Sequence, residues 1–373
     1  MNFGFTEEQE QLRESARRFL DDRCPITETR KLMLAEEAFS PELWAEITAL
    51  GWPAILVPEA QGGLGLHWLE MAVLLEETGR TLAPSPLLAT ALATATIIDA
   101  GSEEARDRWL PEIAAGNRTA TLALLDDVDA PETASITLEA QADGDGFRLS
   151  GMRDLILDAG QADVFVIAFR RPDAAVQLAV VEKSLSGVSA CSFPTVDPSK
   201  RLGRLTLDNV VLTSEMLLSD GILAEQAVAR ALDRGAVAVC AESIGAAESA
   251  LNLLVEYAKT RMQFGAPIGK YQGVKHPLAE IFVDIESFRS LTYYAAWAID
   301  ESPEELPRQA SLAKAYVSDA MARIGIDSVQ LHGAIGYTEE YDAQLFLKRA
   351  KWVRPAFGDA DWHYERAAAL GGL

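Results

Sequence analysis

The sequence predicts an α+β multidomain protein in which a helical region, a β region and a second helical region follow one another. Apolar residues recur at helical spacing over residues 1–117, alternate with a period of two over 118–213, and return to helical spacing over 214–373. With 373 residues, 49% of them hydrophobic, the chain can bury a sizeable core, and roughly 150 residues per domain gives two or three domains.

In the first region Leu12, Ala16, Phe19 and Leu20 share one helix face, and Val73, Leu74 and Leu75 followed by Glu76 and Glu77 mark a later helix. Between them Leu56-Val-Pro-Glu-Ala-Gln-Gly-Gly-Leu-Gly65 carries a proline and three glycines and reads as a turn. The second region holds short runs, Thr119-Ala-Thr-Leu-Ala-Leu124, Asp163-Val-Phe-Val-Ile-Ala-Phe169 and Val176-Gln-Leu-Ala-Val-Val181, separated by Asp, Gly and Pro clusters, as a small β-domain requires. In the third, helices are expected over Glu225–Lys259, Pro277–Ile299 and Pro307–Leu331. The middle one aligns Leu278, Ile281, Ile285 and Phe288 on a stripe that neighbouring helices must cover. The short polar connection Asp300-Glu-Ser-Pro-Glu-Glu-Leu-Pro307 makes its flanking helices antiparallel neighbours.

Acidic residues outnumber basic ones, 56 to 33, for a net charge of −23. Such a field repels polyphosphate backbones and anionic surfaces, so neither nucleic acid nor an anionic membrane is an expected partner, and any anionic ligand needs a local basic patch. The opening Met1-Asn-Phe-Gly-Phe-Thr-Glu-Glu8 lacks the basic-then-apolar pattern of a secretory signal, and no apolar run reaches the roughly 18 residues of a membrane span. Cys24, Cys191 and Cys240 are widely spaced and form no ligand motif, which fits a reducing, cytoplasmic compartment and small buried hydrophobes.

The segment richest in chemistry is Arg261-Met-Gln-Phe-Gly-Ala-Pro-Ile-Gly-Lys-Tyr-Gln-Gly-Val-Lys-His276. Arg261 supplies a permanent cation with forked donors suited to pyrophosphate, Phe264 a flat apolar surface, and Gly265 with Pro267 a turn that presents them. The competing structural roles are a helix C-terminal cation for Arg261 and core filling for Phe264. In Gln330-Leu-His-Gly-Ala-Ile-Gly336, Gly333 and Gly336 permit close backbone approach to a ligand, whereas a plain helix cap would also explain Gly333. His276 and His332 lie in no metal-ligand pattern and are expected to be structural or surface residues.

These two segments, together with Ala49-Leu-Gly-Trp-Pro-Ala-Ile-Leu-Val-Pro-Glu-Ala-Gln-Gly-Gly-Leu-Gly65 and Glu76-Glu-Thr-Gly-Arg80, form four collinear matches that resemble the acyl-CoA dehydrogenase family. The resemblance implies an N-terminal helical domain, a central β-domain and a C-terminal four-helix bundle. It implies FAD as cofactor, α,β-dehydrogenation of an acyl-CoA thioester, and an electron-transfer flavoprotein as acceptor. It further implies a homo- or hetero-tetramer in which Arg261, Gln263, Phe264, Ile268 and Gln272 reach a neighbour's flavin. Gln330, Gly333 and Ala334 would approach the pyrophosphate or adenosine end, Ala334 standing where many relatives have glycine.

Two departures matter. Leu124-Leu-Asp-Asp-Val-Asp-Ala-Pro131 and Leu155-Ile-Leu-Asp158 replace segments that in relatives present hydroxyls to the flavin ring. Ala356-Phe-Gly-Asp359 stands where most relatives have Tyr-Glu-Gly-Thr, which sets Phe357 at the place of the proton-abstracting glutamate, and the second family position for that base falls on Gly235. Asp359, Glu242 and Asp233 are the nearby carboxylates that could substitute, Glu242 lying two helical turns beyond Gly235. Three functions follow from the resemblance: a subunit of a heteromeric complex whose homologous partner supplies the base, as in bacterial members that act on bulky acyl-CoA esters such as steroid side chains, which places this chain in fatty acid or steroid catabolism; a homotetrameric dehydrogenase with a displaced carboxylate; or a silent acyl-CoA or flavin binder.

Overall fold

The computed structural model describes residues 4–35 and 38–372, so Met1-Asn-Phe3 of the expected N-terminal segment lies outside the described residues. In chain order come α1 (Glu7–Arg23), α2 (Ile26–Met33), α3 (Pro41–Ala49), α4 (Trp68–Arg80), α5 (Leu87–Ala100) and α6 (Glu103–Ala114). Strands β1 (Ala120–Ala123), β2 (Ala140–Asp143), β3 (Gly146–Leu157), β4 (Val164–Arg170), β5 (Val176–Glu182), β6 (Val188–Phe193), β7 (Leu202–Leu212) and β8 (Leu217–Asp220) follow. The remainder is α7 (Gly221–Thr260), β9 (Met262–Gln263), β10 (Ala266–Pro267), α8 (Gln272–Glu301), α9 (Leu306–His332), α10 (Ala343–Val353) and α11 (Ala360–Leu370). The chain forms two compact units, one of Lys31–Met71 and Pro84–Gly235, the other of the segment up to Arg30, Ala72–Ala83 and everything from Ala236.

The first of these holds two four-stranded sheets, ordered β1-β4-β5-β8 and β2-β3-β7-β6. β4 and β5 are buried on both faces, which is why their sequences run almost unbroken in apolar residues. Val164, Val166, Ala168, Val176, Leu178 and Val180 pack with Ile97, Leu110 and Ala227 of the helices. Their alternates Phe165, Ile167, Phe169, Ala179 and Val181 pack with Leu149, Leu205 and Val210 of the second sheet. The first sheet is completed by β8, which follows residue 213, where only helix was expected.

The second unit is helical. The predicted stripe on α8 holds, with Ile281, Ile285 and Phe288 buried, and the helix starts at Gln272, carrying Pro277 in its second turn. α4 and α7 cross with almost no space between backbones: a Cβ on Gly79 would sit 1.9 Å from the Glu242 carbonyl oxygen, and one on Gly245 would sit 1.8 Å from that of Glu76. The Glu76-Glu77 pair beside this crossing is buried and fully engaged. Glu77 accepts from Arg17 Nη2 at 2.8 Å and from Arg80 Nε at 2.8 Å, while Glu76 accepts from Arg289 and Tyr293. The hydrogen bond to Glu77 raises the Arg17 pKa despite the opposing effect of burial, so the cations here stay charged.

Among the described residues one helix, α7, is long and apolar enough on composition to cross a membrane, a feature that counting uninterrupted apolar runs misses. In the structure 78% of its most apolar window is buried, and the helix carries Asp233, Arg234 and Glu242.

Candidate functional site

At the end of α7 the Arg261 N–H donates to the Tyr257 carbonyl at 2.8 Å and the chain turns into the β9–β10 hairpin, in which Gln263 pairs with Ala266 and Met262 with Pro267. The two residues at its tip, Phe264 and Gly265, have φ of 52° and 76°, the positive pair that a two-residue type I′ turn requires. Tyr271 Oη closes the tip by donating to the Gln263 carbonyl at 3.1 Å, with its ring edge-on to Phe264 at 6.2 Å. Phe264 is 91% exposed, so it does not fill the core. Arg261, Gln263 and Gln272 are exposed too, Ile268 is half-buried, and the Arg261 guanidinium has no hydrogen-bond partner among the described residues.

α9 ends beside this hairpin. Gly333 is its C-cap at φ 66°, a conformation that favours glycine, and Gln330, Gly333 and Ala334 are exposed around it. His332 is buried, its Nδ1 donating to the Ser328 carbonyl at 2.6 Å and its ring 4.7 Å from Tyr257 and 4.9 Å from Tyr341. It therefore joins the end of α7 to the end of α9, whereas His276 is exposed. An uncommitted forked cation, an outward aromatic surface and exposed backbone beside glycine fit the pyrophosphate and adenosine end of a dinucleotide such as FAD.

The turn at which the sequence resemblance places the base is built differently. Phe357 sits at φ 56° and Gly358 at φ 98° in a turn between α10 and α11. Lys314 Nζ donates to the carbonyls of Arg354 (3.1 Å) and Gly358 (2.8 Å) and to Ser318 Oγ (2.7 Å), and His363 Nε2 donates to the Phe357 carbonyl at 2.8 Å. Asp359 is exposed and caps α11, accepting from the Trp362 N–H at 2.9 Å. Glu242 is buried with its Oε2 3.7 Å from Nη1 of the equally buried Arg349. Asp233, in the other unit, is buried and partnered.

In the β-containing unit, Asp126 folds the 124–131 loop by accepting from the N–H groups of Thr137 (2.6 Å) and Leu138 (2.9 Å) and from Arg153 Nε (2.9 Å), while Arg153 also donates to the Ala123 carbonyl. Burial lowers the Arg153 pKa, with Asp126 opposing the fall. Burial likewise disfavours ionised Asp126, but Arg153 and the two backbone donors outweigh it and hold the carboxyl below its usual range. Leu155 and Asp158 have φ of 60° and 54°, and Leu155, Ile156 and Leu157 bring no hydroxyl to this strand end. This strand end therefore carries the departure expected from its sequence, with no hydroxyl to offer a flavin ring. Neither the Asp126–Arg153 pair nor Lys314 was a candidate from sequence; the Ala-rich surroundings of Lys314 are a signal that could have marked it, whereas Arg153, between Arg148 and Asp154, carries none.

The acyl-CoA dehydrogenase N-terminal domain family matches residues 6–117, and the acyl-CoA dehydrogenase C-terminal domain family matches residues 225–370. The acyl-CoA dehydrogenase IpdE2 of Mycobacterium tuberculosis is 31% identical over 345 residues, covering 92% of this chain and 91% of that protein. Among solved structures, a variant of the steroid acyl-CoA dehydrogenase Tcur3481-Tcur3483 is 31% identical with a TM-score of 0.87 over 98% of both chains. A chain of the ChsE4-ChsE5 complex from Mycobacterium tuberculosis is 26% identical with a TM-score of 0.90 over 100% of this chain and 99% of its own. With the helical, β and helical parts in order and relatives aligned over nearly their full length, the chain belongs to the acyl-CoA dehydrogenase family, FAD-dependent oxidoreductases acting on acyl-CoA thioesters.

Proposed function

We propose that this chain is one subunit of a heteromeric acyl-CoA dehydrogenase whose homologous partner subunit supplies the catalytic base, in a tetramer that passes electrons to an electron-transfer flavoprotein. The observation that carries this reading is the 354–359 turn. α-Proton removal needs a carboxylate at this turn or at the second family position; these carry Phe357 and Gly235, Asp359 and Glu242 are engaged in a helix cap and an ion pair, and Asp233 is buried and partnered. That the relatives Tcur3481-Tcur3483 and ChsE4-ChsE5 carry two protein names each supports pairing with a second subunit, and the former's description as a steroid enzyme supports a bulky acyl group.

In this assignment Arg261 neutralises the pyrophosphate of the neighbour's FAD, and Gln263, Phe264, Ile268 and Gln272 line its approach. Gln330, Gly333 and Ala334 meet its adenosine end. The chemistry FAD supplies is hydride acceptance from the substrate β-carbon. The exposed apolar residues Met262, Phe264, Ile335 and Tyr337 make this face a subunit interface. Regions 1–117, 118–213 and 214–373 are the corresponding functional domains, and the cytoplasm is the compartment that fits the unpaired cysteines.

The test is the visible spectrum of the chain purified alone and co-expressed with a glutamate-bearing homologue, each mixed anaerobically with acyl-CoAs of short, long and steroid type. Bleaching only in the co-expressed sample is expected. A chain that is yellow and bleaches alone is a homotetramer with a displaced base, and ligand binding without bleaching in either sample marks a silent binder.

A further inference from the structure

Lys314 lies within α9 with no exposed surface. A buried ammonium persists only where its three donors are met, and two of its three acceptors are carbonyls of the distant 354–358 turn, so its hydrogen bonds organise that turn as much as its own helix. His363 holds the intervening Phe357 carbonyl. Three carbonyls of one five-residue turn are therefore gripped by two buried side chains, and the residue at their centre is a phenylalanine at φ 56°. A bulky side chain in that region costs about 1–2 kcal/mol and persists where the surroundings over-determine it.

We infer that Lys314 is a positioning residue for the acyl-CoA site: with His363 it fixes the 354–358 turn, and thereby residue 357, as a wall of the acyl pocket. The inference rests on the proposed reading that this turn faces the acyl group.

The charged and titratable groups around Lys314 are Cys240 on α7, Asp359 at the turn, and His363 with Arg366 on α11. Burial pushes Cys240 up to about 12 and His363 down to about 3, so both are neutral near pH 7 and His363 keeps its Nε2–H for Phe357. Burial also lowers Lys314 from 10.5 to about 8, with Cys240 and Asp359 opposing the fall. Deprotonation above that value removes one of the three donors and loosens the turn. Stability moves the other way. Between pH 8 and 10.5 the unfolded chain binds more protons at this lysine than the folded one, so Lys314's contribution to stability rises with pH.

The experiment measures binding of octanoyl-CoA and choloyl-CoA to the FAD-loaded assembly by calorimetry from pH 7 to 9.5, alongside thermal midpoints, for wild type and Lys314→Met. Loss of one charge-assisted hydrogen bond predicts wild-type affinity falling about tenfold with a midpoint near pH 8, without a parallel fall in thermal midpoint. Lys314→Met should bind about tenfold more weakly at pH 7 and show no pH dependence. Should that variant not fold, the wild-type profile decides alone. Affinity that stays flat with pH, or that merely tracks the thermal midpoint, overturns the inference. Failure of wild type to bind either acyl-CoA at pH 7 overturns the assignment of the turn to the acyl pocket, a distinct result.

Discussion

The β9–β10 hairpin and the 354–359 turn belong to the same helical unit and have opposite constructions. The hairpin keeps the family's residues and directs them outward, with Phe264 exposed and Arg261 uncommitted. The turn carries Phe357 where the sequence resemblance expects a carboxylate and is gripped from inside by Lys314 and His363. Both carry a phenylalanine with positive φ, yet the backbone at the hairpin tip is met by a half-exposed tyrosine and the turn by two fully enclosed polar groups. In the proposed reading, the first is what this chain offers to a neighbour and the second is where its own base is replaced.

The largest effect should come from the ion pair that removes Glu242 from contention as a base. Arg349→Leu removes the buried cation 3.7 Å from buried Glu242 and should cost about 3–5 kcal/mol in urea unfolding, with Glu242→Gln in the same chain recovering much of it. A loss below about 1 kcal/mol would mean Glu242 does not depend on that cation and returns it to the list of candidate bases. Next, Arg261→Ala should weaken FAD binding by the assembly about 10- to 100-fold, followed by flavin fluorescence, while the thermal midpoint of the apoprotein moves little because the side chain is exposed. Undiminished flavin content in that variant would break the outward-facing half of the comparison. The smallest effect is expected from Asp359→Asn. Asparagine caps a helix as well as aspartate, so stability should change by less than about 0.5 kcal/mol and flavin reduction in the complex should keep its rate. A slowing of about 100-fold or more would place the base on this turn after all.

Much of this was legible in the sequence because it is local. Helix α9 was expected over Pro307–Leu331 and occupies Leu306–His332, and the runs at 163–169 and 176–181 became β4 and β5. β8 was missed because Leu217-Leu-Ser-Asp220 is too short to show a period, and its identity comes from pairing with β5. The start of α8 was missed because Pro277 reads as a first-turn residue, although it sits in the second. At the site, the motif located Arg261 and Phe264 but could not decide between an exposed aromatic and a core one. Lys314 and Arg153 were invisible for a different reason. A single cation in a helix or strand reads as solvent-facing until its acceptors are known, and the carbonyls that hold Lys314 lie 40 and 44 residues away, while the acceptors of Arg153 lie 27 and 30 away.

The glycine crossing of α4 and α7 makes a fulcrum. From Gly245 to Arg261 is 16 positions (261 − 245), a rigid arm of about 24 Å at the usual helical rise. A side chain at Gly79 or Gly245 must wedge the helices apart, and a tilt of roughly 5° at that point swings the far end by about 2 Å. Two missing methyl groups thus calibrate where Arg261 and Phe264 arrive, and a variant at either glycine would displace the hairpin without touching a single one of its residues.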